Sequence, residues 1–381
     1  MEIAAEKPKR YVFIDVLRGL SVLWMIEAHL FDVILDVDFK HTDFFHYIDI
    51  SNGFVAAIFL FCAGASFYLS TSRKFNDYKH FRKPLWVYLK RLGFILAIGY
   101  ALNLPRFSIF QISHLPYDTI LRIFECNILQ AIVYSSILAL VIFLILPKLK
   151  YLKYISLIIA LVIFYGTSFV WALDPFKYMN IFFAPMFAEW PVSHFPLFPW
   201  MGHFFAGLAI TSFFMEAKDK QRTSKTLVII SSILIVITLI IKNSNILYYP
   251  YVMEWWDTSP GHFIFRASVV VLLFGSLYLA ENLYREKWYS NPLALMGRES
   301  LFFYVANVIL IYGSVGNIGF QQIFHSRVQP LPALIIYIIF TVVLYYIGIV
   351  WFKTKSEKPL LAKKVLYSLG VLFAAILIWN K

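Results

Sequence analysis

Charge is scarce in this chain. Only 15% of its 381 residues are charged while 60% are hydrophobic, and the mean hydropathy is +0.70. Soluble domains average about 25% charged and about 45–50% apolar residues, so the soluble domains that the length would allow are excluded. Cysteine is nearly missing. Cys62 and Cys126 fall in or beside apolar runs and support neither a disulfide framework nor a metal site. The nine histidines are dispersed without a coordination spacing, so no metal ligands are assigned. No glycine-rich loop for nucleotide phosphates occurs. No internal repeat or linker divides the chain, and residues 1–381 read as a single membrane-embedded domain. A long basic run beside solvent-ready aromatics is also lacking, so the net charge of +12 does not require a nucleic-acid partner.

What the chain has instead is apolar runs, almost end to end. A helix needs about 20 residues to cross about 30 Å of hydrocarbon. Runs of that kind lie near 13–35, 50–71, 84–104, 126–147, 153–173, 195–215, 226–242, 262–283, 292–314, 330–352 and 363–380. The expectation is an all-α, polytopic membrane helical bundle with about 11 transmembrane helices. The aromatic, proline-containing segment 174–194 reads as a re-entrant or interfacial piece. A basic start (Lys7, Lys9, Arg10) before an apolar run is how a signal peptide opens. Here Asp15, Arg18, Glu27 and His29 interrupt the run and no clear cleavage site follows, so it reads as a retained first span.

Lysine and arginine orient the bundle. They crowd alternate connections: Arg73, Lys74, Lys79, Arg82 and Lys83; Lys148, Lys150 and Lys153; Lys218, Lys220, Arg222 and Lys225; Arg285 and Lys287; Lys353 through Lys364. The intervening connections hold only a scatter such as Lys40, Arg106, Lys177, Lys242 and Arg327. Positive charge stays cytoplasmic during insertion, which predicts a cytosolic N-terminus and, with an odd span count, an external C-terminus. The opposite side carries Asp36, Asp38, Asp43 and Asp49 with His41 and His46, and an aromatic stretch from 248 to 262 that includes Trp255 and Trp256. Those aromatics read either as an interfacial belt or as a platform on which a sugar ring stacks.

Ionisable groups inside a membrane helix are costly and mark function by default. At about 100° per residue, Arg18 and His29 share one face of the first span, roughly 16 Å apart along its axis. Asp15, Asp32 and Asp36 lie close to that line and Glu27 lies opposite. Two structural readings compete: an Asp15–Arg18 ion pair near the interface, and a histidine satisfied by a neighbouring helix.

The segment RYVFIDVLRGLSVLWMIEAH, with ten residues between Arg18 and His29, resembles the opening motif of transmembrane acyltransferases. FLFCAGASFYLS (59–70), NILQAIVYS (127–135), FPLFPWMGHFFAGLAI (195–210) and MGRESLFFYVANVILIYG (296–313) resemble, in order, blocks of the heparan-α-glucosaminide N-acetyltransferase family and its bacterial relatives. Ala28 precedes His29 where relatives often carry Asp, and Asn307 stands where the late motif often has His. FKH at 39–41 is similar to eukaryotic members, which makes His41 the alternative to His29.

The resemblance implies transfer of an acyl group, most simply acetyl, from cytosolic acyl-CoA to a saccharide or glycolipid acceptor across a bilayer. The membrane implied is the bacterial cytoplasmic (inner) one. His29 or His41 would be the base or nucleophile, with Asp32 orienting the imidazole. Arg18, with Asp15 beside it, and Arg73, Lys90, Arg91 and Arg298 are the candidates at the CoA phosphates, because guanidinium and ammonium groups favour phosphate oxygens. Asn127 and Gln130 are candidate oxyanion donors, and Trp255 and Trp256 the stacking platform. His203 reads as a structural group. A transporter or flippase for a polar or lipid-linked saccharide is the rival class, although inverted repeats are not seen. The acceptor, the acyl length and a homo-oligomeric state stay open.

Overall fold

A computed structural model describes residues 11–104, 114–189, 191–244, 249–252, 254–287, 290–314 and 317–379. Lys7, Lys9, Arg10 and Arg106, named above, lie outside the described residues. Among those described the secondary structure is helical, with only two isolated bridges, Leu35 to Val328 and Ser314 to Asn317.

The long helices are α1 (Val12–Ile34), α2 (Asp43–Thr71), α3 (Lys83–Asn103), α4 (Tyr117–Phe124), α5 (Ile128–Ile145), α6 (Leu152–Ala172), α7 (Leu197–Glu216), α8 (Lys220–Ser244), α9 (Pro260–Leu279), α10 (Ser290–Arg298), α11 (Ser300–Tyr312), α12 (Pro330–Glu357) and α13 (Pro359–Trp379). Nine described helices are long and apolar enough to cross a membrane, or ten if the bent pair α10–α11 makes one crossing. Helix α1 falls outside that set because Asp15, Arg18, Glu27 and Asp32 break its apolar character. The run expected unbroken over 292–314 is two helices bent by 78°. Glu299 sits at the break with non-helical φ/ψ (−101°, 23°), and Lys355 on α12 reaches both its carboxylate oxygens at 2.8 and 2.7 Å. Segment 174–194 carries short 3₁₀ turns, Pro175–Lys177 and Ala184–Met186, in place of a helix.

Helices in lipid gain little from apolar contact alone, so close backbone approach at small residues does much of the packing. A Cβ on Gly64 of α2 would run into the Phe204 carbonyl of α7, and one on Gly207 of α7 into the Phe61 backbone of α2. The same reciprocity joins α1 to α10: Gly19 lies on the Leu293 carbonyl and Gly297 on the Asp15 carbonyl. These two contacts put α1 and α2 at the centre, with α7 and α10 against them, while α13 stays largely exposed on the outside. Exposed faces of α8, α12 and α13 are rows of Ile, Leu and Val, the surface a bilayer would cover.

Gly207→Val is therefore expected to destabilise the fold by about 1–3 kcal/mol, the usual cost of overpacking. Gly93→Ala is the control: its Cβ meets nothing within 4 Å, and removing a helical glycine stabilises by about 0.5–1 kcal/mol. Thermal unfolding of the detergent-solubilised variants checks the pair, with Tm falling for the first and holding or rising for the second.

Candidate functional site

One face of α1 lines a cavity of about 1110 Å³, through Arg18, Met25, His29 and Asp32. That spacing of seven, four and three residues is a single helical stripe, so the polar line expected from the sequence is the wall of a real space. The remaining walls come from α2, α3, α4, α5, α7, α9 and α11, joined by the turns at 125–127 and 194–195.

Toward the N-terminal end of α1 the cavity is bounded by Arg18, Ser66, Ser70, Tyr88 and Arg91. Arg18 is held rather than loose. One guanidinium nitrogen donates to the Gly297 carbonyl at 3.4 Å, and the other to the Cys62 carbonyl at 3.1 Å and to Ser66 Oγ. Asp15 is buried outside the cavity lining. At mid-depth the Asn307 amide meets His29 Nδ1 at 2.6 Å, and the Tyr312 ring stands edge-on to the imidazole, 5.5 Å between centroids. The amide atom at that distance is Nδ2, which donates to Nδ1; with the amide turned end for end, Oδ1 accepts from Nδ1–H and His29 Nε2 carries the lone pair of a base. Asn307 is fully buried.

The opposite end is lined by Asp32, Asp49, Arg122, Glu125, His194 and Arg266. Two loops are stitched together there. Phe195 N donates to the Cys126 carbonyl at 2.9 Å, Cys126 N to Ser193 Oγ at 3.0 Å, and His194 N to Glu125 Oε1 at 3.2 Å. The His194 ring bonds the same carboxylate through Nδ1. Asn103 closes the turn from α3: its amide nitrogen donates to the carbonyls of Glu125 (2.8 Å) and Ile123 (3.3 Å), and its oxygen accepts from Asn127 at 2.7 Å.

The candidates named from the sequence divide on this geometry. Arg18, His29, Asp32, Arg91 and Asn127 share the cavity. His41 does not: it is exposed at the end of a four-residue helix, Val37–Lys40. Asp36 caps that helix through Asp38 N, so it has left the α1 stripe. Arg73 and Lys90 are exposed outside the lining, and Arg298 turns back to the Ala294 carbonyl and over the Phe352 ring. Gln130 is buried against Gly99, beyond the lining. Trp255 and Trp256 pack on His262 and Phe265 with Lys242 above Trp256, and their rings do not reach the cavity; Trp200 does. His203 is buried between Phe164 and Trp200, a packed position.

Sequence reasoning missed Glu125, His194 and Arg266. Arg266 carried a usable signal, a charge inside the apolar run 262–283, of the kind that had singled out α1. Glu125 and His194 carried none: each sits at a span boundary, and only the fold brings them together.

Asn103 makes three hydrogen bonds with one side chain and Asn127 one, which sets an order of stabilities. Each net hydrogen bond is worth about 1 kcal/mol, so Asn103→Leu should lower stability by about 2–3 kcal/mol and Asn127→Leu by about 1 kcal/mol. Urea or thermal unfolding in mild detergent measures both, and an inverted order would refute the bonding scheme.

No curated protein matches this chain. The family model described as "Heparan-alpha-glucosaminide N-acetyltransferase, catalytic" matches residues 10–252, well over half its length, including Arg18, His29 and the loops that carry Glu125 and His194. The chain belongs to the heparan-alpha-glucosaminide N-acetyltransferase family, and its many apolar helices make it an integral membrane acetyltransferase.

Proposed function

We propose that the protein moves an acetyl group from cytosolic acetyl-CoA to an amino or hydroxyl group of a saccharide or glycolipid on the external face of a bacterial cytoplasmic membrane. In this reading α1, the bent pair α10–α11 and the nine span-length helices (α2, α3, α5–α9, α12 and α13) make eleven crossings, and the N-terminus is cytosolic. The observation that carries it is the single cavity joining Arg18 at one end of α1 to His29 and a rim of mixed charge at the other.

The chemistry follows from that layout. Acetyl-CoA enters from the lysine- and arginine-rich face, its phosphates attracted to the mouth where the Arg91 guanidinium is exposed. Arg18 is committed to two carbonyls and Ser66, so its part is to hold α1, α2 and α10 in register around the pantetheine arm while presenting positive charge. The thioester then lies near His29, about three helical turns along α1. His29 takes the proton from the acceptor nitrogen or oxygen as that atom attacks the carbonyl carbon; the C–N or C–O bond forms, the C–S bond breaks, and His29 hands the proton to the departing sulfur, so that CoA leaves as the thiol. Asn307 orients the ring. Asp32 lies near the exit, exposed and close to Lys40 (4.0 Å), a place suited to the acceptor side.

Binding and transfer can be separated experimentally. His29→Ala is expected to leave acetyl-CoA affinity within about twofold by isothermal titration and to lower kcat by about 10²–10⁴-fold, the range for a positioned general base. Arg91→Ala should weaken acetyl-CoA binding about tenfold, as loss of one charge-assisted phosphate contact would. Mass spectrometry of acetylated glucosamine reads the product. A folded wild type that binds no acetyl-CoA would remove the donor assignment and turn attention to saccharide flux.

A further inference from the structure

A guanidinium inside a membrane helix is costly enough that its donors are ordinarily used within the protein. Arg18 follows that rule, with two carbonyls and a hydroxyl. Arg266 does not. It lies six residues into α9, roughly 9 Å from the start of the helix, part-buried and in the cavity wall. Among the described residues no carbonyl accepts from it and no carboxylate pairs with it; Asp49 and Asp257 act on it only from a distance.

Its guanidinium is placed all the same. The group lies over the Trp200 ring, 5.8 Å from the centroid, and a Cβ on Gly53 of α2 would run into it. Stacking on an indole orients the guanidinium plane and leaves the N–H donors at its edge unspent. Trp200 and Gly53 both line the cavity. A cation fixed in direction, with its donors unspent at the wall of a cavity, is suited to bind something that enters; a purely structural one would be paired as Arg18 is.

The depth of that cation follows from the register of α1 and α2. The two helices run antiparallel: Arg18 of α1 meets Cys62 and Ser66 of α2, and further along Trp24 Nε1 donates to Asn52 Oδ1 at 3.0 Å. The eleven residues from Arg18 to His29 correspond to eleven back along α2, to about residues 51–55. Gly53 falls there, so the guanidinium that rests on it stands at about the depth of His29. The CoA phosphates belong to the opposite mouth, at Arg91, so an anion that meets Arg266 comes with the acceptor. Arg122 stands at the external end by which the acceptor enters.

We propose that Arg266 selects the acceptor: it binds an oxyanion, phosphate or carboxylate, carried on the reacting sugar or on its linkage, while the amine or hydroxyl of the same sugar lies at His29. The fork of a guanidinium matches both anions, and its hydrogen bonds to them are roughly twice as strong as those to neutral groups. The assignment rests on the acetyl-transfer reading and narrows its acceptor to anionic saccharides. Trp200 and Gly53 are the positioning residues behind the guanidinium.

The test gives reconstituted protein acetyl-CoA with glucosamine, glucosamine 6-phosphate or glucosamine 1-phosphate, and follows CoA release. The 6-phosphate carries its anion on the sugar, the 1-phosphate at the position of a lipid linkage. Wild type is expected to show a kcat/KM at least about tenfold higher for one of the phosphates than for glucosamine, the scale of a hydrogen bond to a charged group. Whichever phosphate is preferred identifies the source of the anion. Arg266→Gln should bring that ratio close to one, mainly through KM. Arg266→Lys should keep part of it, since an ammonium retains the charge and loses the fork. Gly53→Ala keeps the arginine but pushes its guanidinium aside, and should lower the same ratio. A wild type with equal kcat/KM for all three sugars would overturn the selection and leave acetyl transfer standing. So would an Arg266→Gln enzyme that loses kcat equally on all three and keeps its preference. A wild type that binds no acetyl-CoA, or releases no CoA with any of the three, would overturn the acetyl-transfer reading and the selection with it.

Discussion

A guanidinium inside a membrane has to be satisfied by the protein around it, and Arg18 is the constraint on which the rest of this structure turns. It is part-buried, facing the cavity on one side, and on the other an unpaired charge would cost several kcal/mol. Its partners are the carbonyls of Gly297 and Cys62 and the hydroxyl of Ser66. A helical carbonyl already accepts from its own helix, but its second lone pair is open to a cation that comes close enough. Closeness is what the glycines provide: Gly19 and Gly297 let the α1 and α10 backbones touch, and Gly64 and Gly207 do the same for α2 and α7. One side chain thereby fixes three helices, and the cavity lies beside it.

From that junction the polar stripe of α1 acquires its function. A stripe of Arg, His and Asp would be a liability against lipid; against a cavity, it is the wall of a path. The break between α10 and α11 belongs to the same design. At Glu299 the chain bends by 78°, so α10 can lie against the N-terminal half of α1 while α11 brings Asn307 and Tyr312 to His29 further along. Lys355 pairs with the buried carboxylate at the bend. A straight helix over 292–314 could not meet α1 at both levels.

Much of this was legible in the sequence, and the reasons are uneven. Apolar run length placed the span-length helices within a few residues, because twenty apolar residues have few alternatives. The α1 stripe was legible because a helix converts spacing into a face. The bend at Glu299 was not: Gly297, Arg298, Glu299 and Ser300 interrupt the run there, but the ion pair that holds the bend comes from Lys355, 56 positions away. Trp255 and Trp256 looked like a sugar platform because exposed aromatics at a span end fit both a belt and a binding face; here the rings are used up on His262, Phe265 and Lys242. Glu125 and His194 are 69 residues apart and stand in turns, where no periodicity speaks.

The choice between His29 and His41 turns on what holds the loop after α1. Had residues 35–42 been loose, His41 might have been free to swing inward. They are not loose: Asp36 N bonds the Val328 carbonyl at 2.9 Å, Val328 N returns to Ile34 at 2.9 Å, and the Asp36 side chain caps Asp38 N at 3.1 Å. Lys40 is tied back to the Asp32 carbonyl, and Thr42 caps α2 through Phe45 N at 3.3 Å. His41 would have to undo several of these bonds, at about 1 kcal/mol each, to bring its ring to the cavity. His29 needs no rearrangement. It is already at the wall, its ring set by Asn307 and Tyr312, with Arg18 at one end of its helix and a mouth of mixed charge at the other. Preorganisation of this kind is what general-base catalysis requires, because geometry within hydrogen-bond reach comes before any adjustment of basicity, and it favours His29 as the group that meets the reacting atoms.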